Sequence, residues 1–310
     1  MAKKILITGA SGLVGTALKK QLLAQGNEVN TLSRRQTDEP NNYVWSVEKQ
    51  EIDANCLKGV DAVIHLAGEP VVDKKWTEDR KKSIIDSRVQ STSLVLNAIK
   101  KSDSHQIKSF IAASAVGFYG DCGDEILTED TEVGYGFLAD CCKLWENAVD
   151  EANKLGLRVV KLRTGIVLSL KGGALPQLAT PVKLFVGAAL GTGKQWVPWL
   201  HINDMVDMYI KAVENPSMCG AYNACAPYPI TNETLTKALA KHFHRPYWPI
   251  KVPEFLLKTL MGERSDAILM SSNTSAQHIL DAGYQFQFIK LEDAIRELYP
   301  PTPACPAGRP

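Results

Sequence analysis

Thr8-Gly9-Ala10-Ser11-Gly12-Leu13-Val14-Gly15 decides how this chain folds. The apolar run Ile5-Leu6-Ile7 stands before it and reads as a short buried strand. Val14, Ala17, Leu18 and Leu22 follow at the spacing of one helix face, and Gly26 closes that helix. The glycines at 9, 12 and 15 therefore fall on a strand-to-helix turn. Such a turn needs residues without a Cβ, so that backbone N–H groups approach a pyrophosphate and the helix packs on the strand. The helix N-terminus adds partial positive charge for the phosphates. Gly9, Ser11, Gly12, Leu13, Val14 and Gly15 are thus read as a dinucleotide cradle.

The next strand, Glu28-Val29-Asn30-Thr31-Leu32, ends in Ser33-Arg34-Arg35. In a dinucleotide fold this strand end faces the adenosine ribose. An acid there holds the 2′-hydroxyl of NAD, whereas arginines suit a 2′-phosphate. No acid stands from Leu32 to Arg35, and two adjacent arginines offer bidentate phosphate contacts. The cofactor expected is NADP(H), with Ser33, Arg34 and Arg35 at its ribose.

Composition narrows the class. A chain of 310 residues, 45% of them hydrophobic, builds one large domain or two intimate lobes. The formal charge of +1 points to no nucleic-acid or membrane partner. Seven cysteines without a C-x-x-C pair argue against a disulfide framework and against a metal site. No apolar run approaches the ~20 residues of a membrane span, and no signal peptide precedes the first strand, so a cytoplasmic setting is expected.

Further along, Asp61 to Gly68 is an apolar strand with a small-residue end, Leu66-Ala67-Gly68, that can lie against the cofactor. His65 within it reads as a core residue. Trp76 to Lys101 reads as a long helix carrying Arg80 and Arg88. Ile107 to Ala113 is the next strand, followed by Ser114-Ala115-Val116-Gly117-Phe118-Tyr119-Gly120. Leu138, Cys141, Cys142, Trp145, Ala148, Val149 and Ala152 give an amphipathic helix ending before Gly156. Arg158 to Leu168 is a strand with Arg163-Thr164-Gly165 in its middle, and Ala221 to Ala224 is the last parallel strand. Between them, Met205 to Glu214 is a helix with Asp204 as its expected N-cap. Thr231-Asn232 caps a later helix, and another runs near Glu254 to Leu260. The expected division is a nucleotide-binding part, 1–168 plus 195–226, a small substrate lobe, 169–194 plus 227–298, and a proline-rich disordered tail, 299–310.

Thr8-Gly9-x-x-Gly12-x-x-Gly15, His65-Leu66-Ala67-Gly68 and Ser114-x4-Tyr119-Gly120 together resemble the extended short-chain dehydrogenase/reductase superfamily of nucleotide-sugar epimerases and dehydratases. Gly68-Glu69-Pro70, Trp76-Thr77, Arg80-Lys81, Ser87-Arg88-Val89, Phe137-Leu138-Ala139, Trp145-Glu146, Arg163 to Leu168, Gly172-Gly173 and Gly193-Lys194-Gln195-Trp196 are similar to an atypical subgroup, the SDR39U1-like or YfcH-like epimerase-family proteins. The stretch Phe255 to Ile295 looks like the small C-terminal domain of that subgroup. The resemblance implies an α/β fold of Rossmann type, a doubly wound parallel sheet in the order 3-2-1-4-5-6-7, with a smaller C-terminal substrate lobe. It also implies NADP rather than NAD, with Leu66, Ala67, Gly68, Arg88, Ser114, Arg163, Thr164 and Gly165 added to the cofactor contacts.

One departure stands out. Active members carry a tyrosine and a lysine four apart on the helix after the Ser-x4-Tyr-Gly strand, because a proton must move at the substrate oxygen while hydride moves at the nicotinamide. Here Phe137 with Cys141, or Leu138 with Cys142, sits at that spacing. Counting back from Tyr119 also puts Ala115 where the active serine stands, with Ser114 one residue earlier. Ser114 and Tyr119 are the candidate catalytic residues that remain, with Asp121 and Glu125 near the mouth. Two functions follow: an NADP(H)-dependent oxidoreductase or epimerase acting on a small molecule, anionic or a nucleotide-sugar, or a non-catalytic NADP(H)-binding regulatory protein. Lys171, Lys194 and Arg245 are candidate anion contacts. The chain is expected as monomer or homodimer.

Overall fold

In a computed structural model, residues 2–102 and 105–300 are described. Eight strands form the main sheet: β1 (Lys4–Thr8), β2 (Glu28–Ser33), β3 (Asn42–Ser46), β4 (Glu51–Ile52), β5 (Ala62–His65), β6 (Ser109–Ala115), β7 (Arg158–Thr164) and β8 (Gly220–Ala224). Their order is β8-β7-β6-β5-β1-β2-β3-β4. All pairs are parallel except β3 with β4. Numbering only the parallel strands gives the expected order 3-2-1-4-5-6-7. The sequence reading missed β3 and the antiparallel edge strand β4.

Alternation in β1 explains the two layers. Ile5 and Ile7 face one side and pack with Leu18 and Leu22 of α1 (Leu13–Ala24). Met205, Met208 and Tyr209 join them from the helix at Ile202–Glu214. Leu6 faces the other side, with Leu94, Val95 and Ile99 of α2 (Glu78–Lys101) and Trp145 and Val149 of α3 (Phe137–Asp150). A strand buried on both faces reads as a continuous apolar run, which is why β1 and β5 show no polar alternation. Helix starts and stops follow local chemistry. Thr77 caps α2 by accepting from the Arg80 N–H, which leaves Trp76 outside the helix. The chain continues from α3 as a short 3-10 stretch to Gly156, which is left-handed at φ 74°.

A third core gathers Leu175 and Ala179 of the helix Ala174–Lys183, Leu235 and Leu239 of the helix Asn232–His242, and Leu291 and Ile295 of the helix Leu291–Leu298. It also takes Leu168, Val197 and Trp199, from segments expected in the nucleotide-binding part. The strand read as Arg158–Leu168 breaks at Gly165, where a Cβ would press within 2.5 Å of the Pro198 carbonyl. Ile166–Leu168 then leaves the main sheet and pairs with Trp199–His201.

Two local expectations fail. His201, not Asp204, caps its helix, its Nδ1 accepting from the Asn203 N–H at 3.2 Å. Asp204 is fully buried and accepts from Tyr284 Oη and the Gln287 and Phe288 N–H groups, so it anchors the C-terminal segment. Tyr299, placed in the tail, packs on Phe243 with ring centroids 4.9 Å apart and lies under Lys183. The rest of the expected tail, 301–310, lies outside the described residues. Among the described residues, no helix is long and apolar enough to cross a membrane.

Candidate functional site

The glycine turn separates into three jobs. Gly9 is left-handed (φ 68°), and a Cβ on it would lie 2.8 Å from the Leu66 carbonyl. A Cβ on Gly15 would overlap the Gly9 carbonyl, so Gly15 sets the packing of helix on turn. Gly12 differs, because its nearest protein atom would be the Gly9 carbonyl at 3.3 Å and it is exposed. It is also the N-cap of α1, and no side chain caps the helix there. The first-turn N–H groups therefore point into open space beside a bare backbone, the arrangement that receives a phosphate. Ser11 is exposed beside it. Leu13 lies against Gly173, at 3.4 Å from its would-be Cβ, so the Gly172-Gly173 loop closes over the turn.

Arg34 and Arg35 are exposed at the end of β2, next to β1 in the sheet. Neither guanidinium has a hydrogen-bond or ion-pair partner among the described residues. Ser33 holds the bend through Arg35 O and Asn42 Oδ1. Lys19 ties α1 to the following loop through Glu39 at 2.6 Å.

The end of β5 is fixed from inside. Thr8 Oγ1 accepts from the Leu66 and Ala67 N–H groups, both at 3.1 Å. Gly68 passes beneath Arg88, whose Cζ would be 3.1 Å from a Cβ at that position. Arg88 donates to Ile84 O and Glu69 O and lies over the Trp145 ring at 5.0 Å. It therefore stands where α2, α3 and the end of β5 converge. Burial lowers its pKa below the ordinary guanidinium value.

Ser114, Tyr119 and Arg163 are buried and bonded to one another's neighbours. Ser114 Oγ donates to Glu146 Oε1 at 2.6 Å. Arg163 Nε and Nη2 donate to the two Glu146 oxygens at 2.9 and 3.0 Å. Its Nη1 donates to Tyr119 Oη at 3.0 Å and to Glu129 O at 3.1 Å. Tyr119 in turn donates to Asn223 Oδ1 at 2.7 Å. Tyr119 is 1% exposed and Arg163 5%. Burial pushes the Tyr119 pKa up to about 12, against the opposing pull of Arg163. Burial would also raise Glu146, but the hydrogen bonds and charge of Arg163, with Ser114 and Lys161, outweigh it and hold the carboxyl below its usual range. Arg163 and Ser114, expected at the cofactor, and Tyr119, expected at the substrate, are joined in this closed network. Glu146, Asn223 and Glu129 were missed as its members. Glu146 was visible only beside Trp145 in the resemblance. Thr164 is tied to the Leu162 carbonyl, and Gly165 is needed for its contact with Pro198.

At the family's tyrosine–lysine place the walls are apolar. Phe137 meets Trp76 edge-on, centroids 4.8 Å apart, and Cys141 packs with Trp76 and Ile84. A Cβ on Gly117 would lie 3.3 Å from Leu138 Cβ and 3.8 Å from Cys142 Sγ. Burial pushes Cys142 up to about 12. Both thiols are therefore neutral packing groups.

Phe137 and Leu138 also line a half-open chamber of about 260 Å³, with Trp76, Gly120, Asp121 and Tyr135 and, from the C-terminal part, Glu254, Lys258, Asp266, Leu269 and Met270. A clasp holds the two sides: Ser271 N–H donates to Asp121 Oδ1, Ser271 Oγ to Gly123 O, and Asn273-Thr274 pairs with Ile126-Leu127. Asp121 lines this chamber, whereas Glu125 is exposed and outside the lining. Lys171, Lys194 and Arg245 stand apart from the chamber; Arg245 lies over Phe185 at 4.3 Å.

Comparisons with known proteins agree with this fold. Residues 5–225 match the model of the NAD dependent epimerase/dehydratase family, and residues 252–298 match a domain of unknown function, DUF1731. The epimerase family protein YfhF of Bacillus subtilis (strain 168) is 35% identical over 298 residues, covering 95% of this chain and 97% of that protein. A chloroplastic SDR39U1 homolog of Arabidopsis thaliana is 32% identical over 301 residues, covering 95% of this chain and 86% of that one. The crystal structure of human epimerase family protein SDR39U1 (isoform 2) with NADPH superposes with a TM-score of 0.85 at 28% identity, over 95% of this chain and 98% of that one.

Proposed function

This chain belongs to the NAD dependent epimerase/dehydratase family, and we propose that it binds NADP(H) and exchanges a hydride between that cofactor and a small substrate. The observation that carries the reading is an open Gly12 beside an uncapped helix start, with two unpartnered arginines at the neighbouring strand end. The first suits a pyrophosphate and the second a 2′-phosphate. The human relative crystallised with NADPH supports it. Gly9, Gly12 and Gly15 with Ser11, Leu13 and Val14 would hold the pyrophosphate. Arg34 and Arg35 would hold the ribose phosphate, and Leu66, Ala67 and Gly68 would lie under the nicotinamide half. NADPH, when bound, supplies a hydride to an electron-poor carbon. This chain supplies position and exclusion of water, while the matching proton comes from solvent. Residues 169–194 and 227–298 act as the substrate lobe. Buried thiols at Cys56, Cys141, Cys142 and Cys225 suit the reducing, cytoplasmic setting of this reading.

A non-catalytic NADP(H)-binding role is the second reading. It is favoured by Ala115, Phe137, Leu138, Cys141 and Cys142 standing where a serine, tyrosine and lysine do proton work in active members. The deciding experiment loads the protein with NADPH and follows its oxidation against a carbonyl panel. Oxidation by any member supports the enzyme. Tight NADPH binding with none across the panel supports the second reading. Failure to bind NADPH rejects both.

A further inference from the structure

Around the chamber at the start of α3, Arg80, Lys81 and Lys258 are already paired with carboxylates of this chain. Arg80 pairs with Glu69 and Asp73, Lys81 with Glu78 and Glu263, and Lys258 with Glu254. Arg264 donates to the Val72 carbonyl. The lining itself holds three carboxylates, Asp121, Glu254 and Asp266, against one ammonium, Lys258. Asp266 has no cation within ion-pair distance among the described residues. A diphosphate entering here would face three carboxylates of the lining and a single ammonium, which is already paired with Glu254.

The walls favour the opposite kind of molecule. Trp76, Phe137, Leu138 and Leu269 present rings and methyl groups. Tyr135 stands at the mouth, 97% exposed. The backbone on either side of it is constrained: a Cβ on Gly134 would overlap the Tyr119 carbonyl, and Gly136 is left-handed at φ 97°. An exposed ring at the rim of an aromatic-walled pocket offers a stacking surface.

We infer that the chamber receives a flat, uncharged or cationic small molecule carrying a conjugated carbonyl, and rejects nucleoside diphosphate sugars. The inference rests on the hydride-transfer reading for its chemistry but not for its binding. Like-charge repulsion disfavours the diphosphate, and desolvated aromatic contact favours the planar ligand.

The test measures binding of two probes, 9,10-phenanthrenequinone and UDP-glucose, to the full-length protein with and without NADPH. The quinone should bind at least about tenfold tighter than UDP-glucose. Tyr135→Ala should weaken the quinone several-fold and leave NADPH affinity unchanged. Asp266→Lys, at an exposed position, should narrow the gap by strengthening UDP-glucose. Tighter UDP-glucose binding in the unmodified protein, no binding of either probe, or indifference to both substitutions would each overturn the inference. Loss of the cofactor reading would show separately, in the NADPH titration, while the cofactor-free arm still reports on the chamber.

Discussion

Thr8 Oγ1 and His65 Nδ1 lie 2.9 Å apart, and the contacts around them fix the direction of that hydrogen bond. Thr8 Oγ1 already accepts from Leu66 and Ala67, so its own proton goes to Nδ1. On the other side of the ring, Ser91 and Thr92 donate to the Arg88 carbonyl and accept from Nε2–H. His65 is neutral in the fold, with both nitrogens satisfied. Burial lowers its pKa to about 3.

The sign of the pH effect follows. Below pH 6.5, the ordinary histidine value, the unfolded chain takes up a proton that folded His65 refuses. Stability therefore falls as pH drops, and continues to fall to about 3. Between pH 7 and 5 this group removes about 2 kcal/mol, at roughly 1.4 kcal/mol per pKa unit. In urea unfolding at both pH values, His65→Gln should lose that part of the pH dependence. An unchanged slope would mean that His65 is protonated in the fold.

The glycine turn predicts two different failures. Gly12→Val fills space that only a phosphate needs, so cofactor binding should disappear while circular dichroism and melting stay close to normal. Gly15→Val drives a side chain into the Gly9 carbonyl, so it should lower stability by about 3 kcal/mol, the upper end for overpacking. Binding calorimetry and thermal melts on the pair separate the two roles.

Arg34→Ala with Arg35→Ala should erase a preference for NADP(H) over NAD(H). Hydrogen bonds to charged groups contribute about 1.5–3 kcal/mol each when well formed, and exposure reduces that. The expected preference is therefore about ten- to a hundredfold in Kd. Equal affinity for both cofactors in the unmodified protein would contradict the assignment.

Tyr119→Phe should act on stability and not on turnover. It removes the hydroxyl that joins Arg163 to Asn223 and should cost about 1–3 kcal/mol by leaving buried polar groups short of a partner. Single-turnover NADPH oxidation, once a substrate is in hand, should change by less than about twofold; a fall of 10²-fold or more is what loss of a general acid produces. Glu146→Ala is the harsher relative. It strands the Arg163 cation, and breaking a buried pair of this kind costs about 3–5 kcal/mol.

Cys141→Ala and Cys142→Ala should leave NADPH affinity within about twofold of normal, since neither thiol is ionised or free to hold a ribose. Thiol reagents should modify exposed Cys219 well before either of them. Rapid labelling of Cys142 would show that its surroundings open in solution.

The parallel sheet was legible because its signals are local: an apolar run, a glycine turn, a helix stripe. β3 was not, since Asn42-Tyr43-Val44-Trp45-Ser46 is short and mixed in polarity, with no apolar run to mark it as the strand that pairs with β2. The cradle was legible for the same local reason as the sheet. The inward turn of Arg163 was not. Its partner Glu146 sits 17 residues away on another element, and nothing in Arg163-Thr164-Gly165 tells which face of β7 the guanidinium takes. Asp204 shows the converse. A short acid near a helix start is a sound cap signal, but the N–H groups it satisfies belong to residues 287 and 288.

The clasp between residues 120–127 and 271–275 bears on how the protein comes into being. A ribosome delivers β1 through β6 long before Ser271 is made, so the nucleotide-binding strands can pair while the loop after Tyr119 still lacks its partners at 271–274. The chamber is therefore completed only when nearly the whole chain has been released, and a nascent or truncated chain ending before residue 270 would carry the cradle without a finished pocket.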